Sequence, residues 1–312
     1  MAVSWTMMLR KHHGILIDSE ICKSIFKAIH QPTQQIICVK SLPLLSSSSI
    51  NEIYLLRSIL PNDNNHHNIH PNILSLLSIK YLPSLSLNNS IYFIFDYVHN
   101  RDLATHGLLY GGTEKQLTNE QIQTYLYQLV LAIIYCHDRL VYHCAIELKH
   151  LLITRTGQLK LSNFEYAKHA VCPTMTIDIQ DLSCFSQCPP ELLLGDRTLN
   201  SSLDMWSIGC VFAQLCSSTQ IEPLFRGNHQ IELLFCIFSM MGTPTDDIWP
   251  SFHKHSYFNA DFPRWPKRND HLYELTKLIG AEGLDFLKCL LVYDQKRRLT
   301  ARAALQHPYF NR

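Results

Sequence analysis

The chain changes character near residue 100, and this change limits the folds that it can adopt. Before that point, brief apolar or β-branched runs of strand length occur at residues 15–17, 25–28 and 36–39. After it, residues 122–137 and 203–216 form long, mostly apolar segments that are typical of buried helices. This order predicts an α+β protein in which a small β-rich lobe precedes a larger, mainly α-helical lobe.

One helix is predicted within the β-rich part. The serines at 46–49 can serve as N-caps, and apolar residues follow at helical spacing from Ile50 to Leu56. The Asn/His-rich stretch at 61–72 indicates a surface loop, and the run IYFIFDYV at 91–98 indicates a buried strand. In the second part, further helices are predicted at residues 232–241, 283–293 and 301–307.

Composition narrows the classes of partner and location. With 312 residues and 46% hydrophobic content, the chain can bury a sizeable core in one large unit or in two lobes. The formal net charge of +1 favours neither nucleic acid nor an anionic membrane surface as a partner. No apolar run reaches the roughly 18 residues that a membrane span needs. The N-terminus is too polar for a secretory signal, so an intracellular location, cytoplasmic or nuclear, is expected.

The cysteines and histidines do not predict a metal site. Eleven cysteines are scattered without a disulfide framework, which predicts reduced thiols. Cys172, Cys184 and Cys188 lack the close paired spacing of zinc ligands. The histidine pairs at 12–13 and 66–67 sit in polar stretches and are predicted to be solvated loop residues.

An ordered set of motifs resembles a known family. The segment that begins at residue 122, IQTYLYQLVLAIIYCHDRLVYHCAIELKHLLITRTGQLKLSNFEYAK, resembles the helix, catalytic loop and metal-binding strand of a protein kinase. Later motifs follow in the family's order: QCPPELLLG (187–195), DMWSIGCVFAQL (204–215), PLFRGNHQIELLFCIFSMMGTP (223–244) and YDQKRRLTARAALQHPYF (ending at 310). The first half matches at CVK (38–40), SSSSINEI (46–53), HPNI (70–73) and FDYV (95–98).

The segment at 223–244 is specific to the cyclin-dependent branch. The chain therefore resembles the protein kinase superfamily, and within it the cyclin-dependent kinase-like members of the CMGC group, from about residue 15 to residue 310. The resemblance implies the bilobal protein kinase fold. Residues 1–98 would form the N-lobe with one αC helix, and residues 99–312 would form the C-lobe of the same kinase domain.

The resemblance identifies catalytic positions at which this chain departs from the family. Ala145 stands in place of the aspartate that accepts the proton of the substrate hydroxyl, and Glu147 stands in place of a phosphate-binding lysine. His150 and Asn163 replace the asparagine and the aspartate that ligate magnesium. No catalytic residue is therefore intact, and no metal or cofactor is expected. Glu147, two positions beyond Ala145, stays open as an unorthodox base.

The phosphate-binding positions are altered as well. Asp18, Glu20 and Lys23 stand in place of three glycines that let the backbone of the family approach the phosphates closely. Glu165 replaces the glycine of the Asp-Phe-Gly motif and adds a carboxylate near the position of a triphosphate. The resemblance therefore implies poor phosphate binding in this chain.

Part of the family's nucleotide site is retained. Lys40 and Glu52 occupy the positions of the ion pair that anchors the α- and β-phosphates, although such a pair can also serve only to brace the lobe. The positions of the adenine slot and the hinge are Ile25, Cys38, Phe95, Asp96, Val98 and Leu152. Weak binding of ATP or another purine without metal is therefore predicted.

Positions that support the fold are retained more fully. Asp204 matches an aspartate that holds the backbone of the catalytic loop, and Glu191 and Arg298 match a buried ion pair. The residues that match the apolar spine between the lobes are Leu56, Leu76, His143 and Phe164.

Two functions remain open on these observations. The retained scaffold and altered site indicate a catalytically inactive cyclin-dependent kinase-like protein, a pseudokinase, that acts as a scaffold or allosteric protein-binding module. The alternative is an ATP-dependent Ser/Thr protein kinase of the cyclin-dependent group with residual activity. Protein partners are expected, and a cyclin is the candidate because SSSSINE at 46–52 stands where the family has its cyclin-facing helix. Neither nucleic acid nor a membrane is expected as a partner.

Overall fold

The computed structural model describes residues 5–43, 52–56, 70–82, 90–99, 102–105, 117–170, 176–182, 185–217, 222–267 and 270–311. The serine-rich start of the predicted helix and residues 61–69 of the predicted surface loop, including the histidine pair at 66–67, lie outside these ranges.

Five antiparallel strands form the first lobe. They are β1 (Ile15–Cys22), β2 (Ile25–His30), β3 (Gln35–Pro43), β4 (Leu76–Leu82) and β5 (Ser90–Asp96), in the spatial order β1-β2-β3-β5-β4. Alternation along β3 separates the two faces of the sheet. Ile37 and Val39 belong to an outer apolar cluster, whereas Cys38 and Lys40 lie on the face that borders the second lobe.

A helix before the first strand covers the outer face of the sheet. This helix, α1 (Trp5–His13), buries Leu9 completely in the outer cluster, and Gly14 ends it with a φ of 63°. The prediction that His12 and His13 lie in a solvated loop is wrong, because both residues belong to the last turn of α1. Partial burial, with Lys80 nearby, lowers the pKa of His13.

The second lobe is mainly helical. Helix α2 (residues 52–56) still belongs to the first lobe. The helices of the second lobe are α3 (Asn119–His137), α4 (Pro190–Leu193), α5 (Ser202–Cys216), α6 (Gln230–Met241), α7 (Asp270–Leu290) and α8 (Ala301–Leu305). Thr118 and Gln121 form a capping box at the start of α3, and the Thr300 side chain caps α8. Every residue of α5 is buried, so this helix is the centre of the lobe. Gly280 interrupts α7 with a φ of 71°.

Two short two-stranded antiparallel sheets flank the part of the candidate site that lies in the second lobe. The strands β6 (Val141–Tyr142) and β9 (Lys168–His169) pair with each other, as do β7 (Leu151–Ile153) and β8 (Leu159–Leu161). The first lobe connects directly to β8, because the backbone N–H of Leu74 donates to the carbonyl of Leu161 at 2.9 Å. The backbone N–H of Leu161 in turn donates to the carbonyl of Asn72 at 2.8 Å.

The prediction of an α+β, two-lobed chain with a small sheet and a larger helical part is confirmed. The strands and several helices extend beyond the predicted runs by a few residues, because backbone pairing continues past the apolar stretches that reveal them. Within the part of the chain that the structure describes, no helix combines the length and the apolar character that crossing a lipid bilayer requires.

The second lobe contains a buried ion pair at its centre. Arg298 donates from Nη1 and Nη2 to the two carboxylate oxygens of Glu191 at 2.8 and 2.9 Å. Nη1 also donates to the carbonyl of Ser202, Nη2 donates to the carbonyl of Val292, and the guanidinium lies 5.0 Å from the ring centroid of Trp206. Since both side chains are almost fully buried, neither charge can recover hydration if its partner is lost.

Substitution Arg298→Ala should therefore lower the free energy of unfolding by about 3–5 kcal/mol, because it leaves the Glu191 carboxylate buried without its partner. Urea denaturation followed by circular dichroism measures this change. Arg302→Ala is the matched control, since Arg302 binds Asp138 on the surface and its side chain is 72% exposed. The control should lose less than about 1 kcal/mol. Equal losses of unfolding free energy in the two variants would contradict the claim that burial makes the Glu191–Arg298 pair more important for stability than a surface pair.

Candidate functional site

Asp204 fixes the backbone of the segment that follows β6. Its two carboxylate oxygens accept hydrogen bonds from the backbone N–H groups of His143 at 2.8 Å and Cys144 at 2.9 Å. His137 Nε2 donates to the same carboxylate at 2.8 Å. Burial alone would raise the pKa of Asp204, but the interactions with His137 and His143 hold it below its usual value. Asp204 therefore remains ionised and holds Cys144 in a left-handed conformation with a φ of 55°.

His143 and Phe164 pack together beneath the cleft. Their ring centroids lie 4.8 Å apart in an edge-to-face arrangement, and His143 Nε2 donates to the carbonyl of Ser162 at 3.1 Å. Complete burial lowers the pKa of His143 to about 4, so its imidazole is neutral near pH 7. Leu56 and Leu76 are buried in the same hydrophobic core, which is continuous between the two lobes.

Lys40 is surrounded by acceptors from three side chains. Its Nζ lies 2.9 and 3.2 Å from the two carboxylate oxygens of Glu52, 3.0 Å from Asn163 Oδ1 and 3.1 Å from Glu165 Oε2. Lys40 is 7% exposed and Glu52 is 1% exposed, so the pair is nearly dry. Burial raises the pKa of Glu52, while Lys40 opposes this shift and Glu165 adds to it. The group links β3 and α2 of the first lobe to the second lobe.

Asn163 and His150 bind each other. Asn163 has a left-handed backbone with a φ of 63°, and its Nδ2 donates to His150 Nε2 at 2.9 Å. His150 Nδ1 donates to the carbonyl of Ala145 at 2.8 Å, which fixes the proton of the neutral imidazole on Nδ1. Burial lowers the pKa of His150 and favours this neutral form. A continuous hydrogen-bonded chain thus runs from Glu52 through Lys40, Asn163 and His150 to the backbone of Ala145.

This set of donors and acceptors does not fit magnesium. Mg²⁺ prefers several oxygen ligands in octahedral geometry and usually takes one or two carboxylates. Asn163 offers one neutral oxygen, which accepts from Lys40, and both ring nitrogens of His150 are engaged in hydrogen bonds. An ion at Asn163 would compete with the Lys40 ammonium for the one oxygen that Asn163 offers, so these side chains provide no open set of oxygen ligands.

The carboxylate of Glu147 is engaged as well. Its Oε1 lies 3.1 Å from Lys149 Nζ and 3.5 Å from His150 Nδ1, and the residue is 8% exposed. Ala145, which stands where the resemblance expects the base, is 3% exposed. Glu147 is therefore held beside the Asn163–His150 pair, and a role as an unorthodox base would require its release from Lys149.

The positions predicted for the adenine slot meet at the junction of the lobes. Cys38 of β3 lies opposite Phe95 of β5, and Leu152 of β7 pairs with Asp102 across the junction. Cys38, Val98 and Leu152 are half-buried against the core, and burial raises the pKa of Cys38 to about 12.

Two further positions of the predicted slot lie on strands of the first lobe. Ile25 of β2 lies opposite Lys40, and Asp96 ends β5. The backbone N–H of Asp96 donates to the carbonyl of Ser75 at 3.1 Å, so this predicted hinge donor is engaged within the chain.

The turn between β1 and β2 is acidic on one side. Asp18 binds Lys27 at 2.6 Å, and Glu20 is exposed on the same strand as Asp18. The positions that the resemblance assigns to glycines lie in an antiparallel hairpin. Its pairing is irregular between Ile17 and Ser19 and between Glu20 and Cys22, and its turn contains Ser24 with a φ of 65°. A hairpin with these side chains does not present the bare backbone that phosphate cradling needs.

Two contacts of the site were missed in the sequence. Glu165 was identified as a replaced glycine, but its contact with Lys40 was not anticipated, nor was the hydrogen bond between Asn163 and His150. The sequence did contain a signal for these contacts. An acid, Glu165, and two uncharged polar residues, Asn163 and His150, occur at site positions together with Lys40, and buried polar groups require hydrogen-bond partners. Ile50 of the predicted cyclin-facing helix, Cys172 and Cys184 lie outside the described residues.

One other group of potential metal ligands lies in the second lobe. The ligand atoms of Asp285, Cys289 and His307 lie within 4.8 Å of one another. However, His307 Nδ1 accepts a hydrogen bond from the backbone N–H of Tyr309, so Nε2 carries the proton and donates to Asp285 at 3.2 Å. In this arrangement the imidazole has no free lone pair for a metal, and the three residues form a hydrogen-bonded cluster.

Comparison with known proteins supports a two-lobed protein kinase fold for this chain. The family model "Protein kinase domain" matches residues 22–310. A Caenorhabditis elegans protein, cyclin-dependent kinase 2, is 32% identical over 292 residues, which cover 92% of this chain and 74% of that protein. The crystal structure of the yeast RNA Pol II CTD kinase CTDK-1 complex includes a chain with a TM-score of 0.80 and 26% identity. This match covers 96% of this chain and 93% of the yeast chain.

The buried Lys40–Glu52 pair makes a prediction that depends on pH. Since burial raises the folded-state pKa of Glu52 above its ordinary 4.5, the folded protein binds this proton more tightly than the unfolded chain. Stability from Glu52 therefore declines as pH rises above that value, and removing Lys40 raises the pKa further. Lys40→Met should lower the free energy of unfolding by about 3–5 kcal/mol at pH 8 and by at least about 1 kcal/mol less at pH 5.

Urea denaturation at the two pH values measures the difference. Lys27→Met is the matched control, because Lys27 also lies on a strand of the first lobe and pairs with an aspartate, but the pair is exposed. The control should lower the free energy of unfolding far less than Lys40→Met does at pH 8, and equally at the two pH values, because solvent screens the exposed pair. A Lys40→Met penalty that is independent of pH would contradict the description of Glu52 as a buried acid that Lys40 keeps ionised.

Proposed function

We propose that this chain, which belongs to the protein kinase family, has lost phosphoryl transfer and acts by binding other proteins. Within the family it resembles the cyclin-dependent branch, so the proposed protein is a cyclin-dependent kinase-like pseudokinase. The observation that carries the proposal is the hydrogen-bonded chain from Glu52 to Ala145. Its members, Lys40, Asn163 and His150, satisfy one another's hydrogen bonds at the place where phosphoryl transfer would need a metal ion and a base.

The chemistry of the replaced groups supports the same conclusion. A catalytic base typically contributes about 10²–10⁴ in rate, and the Ala145 methyl group cannot accept a proton. The metal normally neutralises charge that develops on the transferred phosphoryl group, whereas Glu147 and Glu165 add negative charge here. Because these groups act as a unit, repairing one position would not restore the others.

A binding role is supported by the interactions that remain. The Lys40–Glu52 pair, the grip of Asp204 on the catalytic-loop backbone and the Glu191–Arg298 pair stabilise the arrangement of the fold without a ligand. A kinase fold held in this way can act as a scaffold or allosteric partner inside the cell, in the cytoplasm or the nucleus. Weak binding of a purine at the half-buried slot, without metal, belongs to the same proposal.

The proposed partner is a cyclin. The C. elegans relative carries cyclin dependence in its name, and the yeast relative was crystallised as a complex. In this chain, Tyr54 of α2 is 52% exposed on the helix that the resemblance assigns to cyclin contacts, and it packs against His169 at 5.6 Å. An exposed aromatic residue on that helix is suited to anchoring a protein interface.

The second candidate is a Ser/Thr kinase with residual activity. It is favoured by the intact Lys40–Glu52 ion pair, which active members of the family require. It needs an unorthodox base, and Glu147 is the carboxylate available for that role.

Turnover of radiolabelled ATP distinguishes the two candidates. With Mg²⁺ or Mn²⁺ and a generic protein substrate, the wild-type chain should transfer no phosphate above background, because base and metal ligands are absent. Lys40→Ala should give the same background. Phosphate transfer that disappears in Lys40→Ala would overturn the pseudokinase proposal and favour the residual kinase.

Pull-down with a panel of purified cyclins tests the partner. At least one cyclin should be retained by the wild-type chain, and Tyr54→Asp should weaken its binding by about tenfold or more, since a charge would be buried in an aromatic contact. Tyr257→Asp, at an exposed tyrosine of the second lobe, is the control and should bind normally. Recovery of no cyclin would end this part of the proposal.

A further inference from the structure

The hydrogen-bonding capacity of Lys40 is filled by the protein itself. An ammonium group has three N–H donors. Four acceptor atoms from Glu52, Asn163 and Glu165 lie within 3.2 Å of Lys40 Nζ. A ligand that brings an anion to Lys40 must therefore displace one of these groups.

Glu165 is the acceptor that a ligand can displace. Glu52 is 1% exposed and Asn163 is tied to His150, so both are fixed by their surroundings. The side chain of Glu165 is 28% exposed, whereas that of Glu52 is 1% exposed, so Glu165 is the carboxylate that borders solvent. While it stays in place, two carboxylates flank one ammonium, and the local charge repels a phosphate group.

The remainder of the cleft suits an uncharged ring. Cys38, Val98 and Leu152 present half-buried apolar surface beside the hinge. Glu20 of β1 adds one exposed carboxylate to the first lobe, whereas the charge of Asp18 is balanced by Lys27. The apolar part of the cleft thus favours the base of a nucleotide, whereas the charged part disfavours its phosphates.

We infer that Glu165 determines the ligand specificity of the cleft by occupying the position at Lys40 that a phosphate would take. The cleft therefore binds a neutral purine nucleoside in preference to the corresponding nucleotide. This inference rests on the proposed function, because it concerns binding by a site that carries out no transfer. Glu165 acts as an internal substitute for the phosphate, and removing its charge makes Lys40 available to an anion.

Isothermal titration calorimetry with adenosine and with ADP, in a low-salt buffer containing a chelator, tests the inference. The wild-type chain should bind adenosine more tightly than ADP. Glu165→Gln should tighten ADP binding by about tenfold or more, because one negative charge beside Lys40 is lost. Adenosine binding should change by less than about threefold, since adenosine carries no charge to interact with that position.

Two further variants test whether the gain in ADP affinity depends on Lys40 and is specific to Glu165. Glu165→Gln combined with Lys40→Ala should lose the gain in ADP affinity, because the gain acts through the ammonium. Glu282→Gln removes one exposed carboxylate from the second lobe and should leave both affinities unchanged. Thermal unfolding of each variant shows whether it is folded. If Glu165→Gln does not fold, Glu165→Gly is used instead to remove the carboxylate.

Three results would overturn the inference. They are ADP binding by the wild-type chain that is as tight as or tighter than adenosine binding, an equal gain for both ligands in Glu165→Gln, or no ADP binding by the folded Glu165 variants. None of these results bears on catalysis, because metal is excluded throughout. Failure of the inference is thus distinct from failure of the proposed function, which ATP turnover with metal decides separately.

Discussion

The Lys40 ammonium, enclosed by Glu52, Asn163 and Glu165, is the interaction on which the candidate site depends. A buried charge must be paired, and here all of its partners come from the chain itself. One carboxylate comes from α2, while the amide and the second carboxylate come from the loop after β8. The two lobes are therefore joined by a charged cluster that is complete without any ligand.

The requirement that buried charges and polar groups be paired is met differently in the scaffold and at the cleft. Asp204 and Arg298 satisfy backbone groups as well as charges, so any replacement would leave several buried polar atoms without partners. At the cleft, His150 and Asn163 stand where the family has metal ligands, yet they form a neutral pair that needs no ion. These two residues therefore satisfy each other's hydrogen bonds within the chain.

Much of the fold could be predicted, and the exceptions have physical reasons. The short apolar run in β3 and the apolar length of α3 and α5 reveal those elements directly. Helix α1 was missed because its short sequence ends in four basic or histidine residues and becomes helical by packing Leu9 on the sheet. The identities of Lys40, Asn163 and His150 as site residues follow from motifs. Their mutual contacts do not, because Lys40 and Asn163 are 123 positions apart and meet only through the packing of the lobes.

A crystal structure grown with ATP and a high concentration of Mg²⁺ tests the central claim most directly. If the cluster is complete in itself, Lys40 Nζ will remain within hydrogen-bonding distance of Glu52, Asn163 and Glu165, and no metal ion will be bound to Asn163. Two ordered magnesium ions between the ATP phosphates and Asn163, with Lys40 turned to the α- and β-phosphates, would contradict the account.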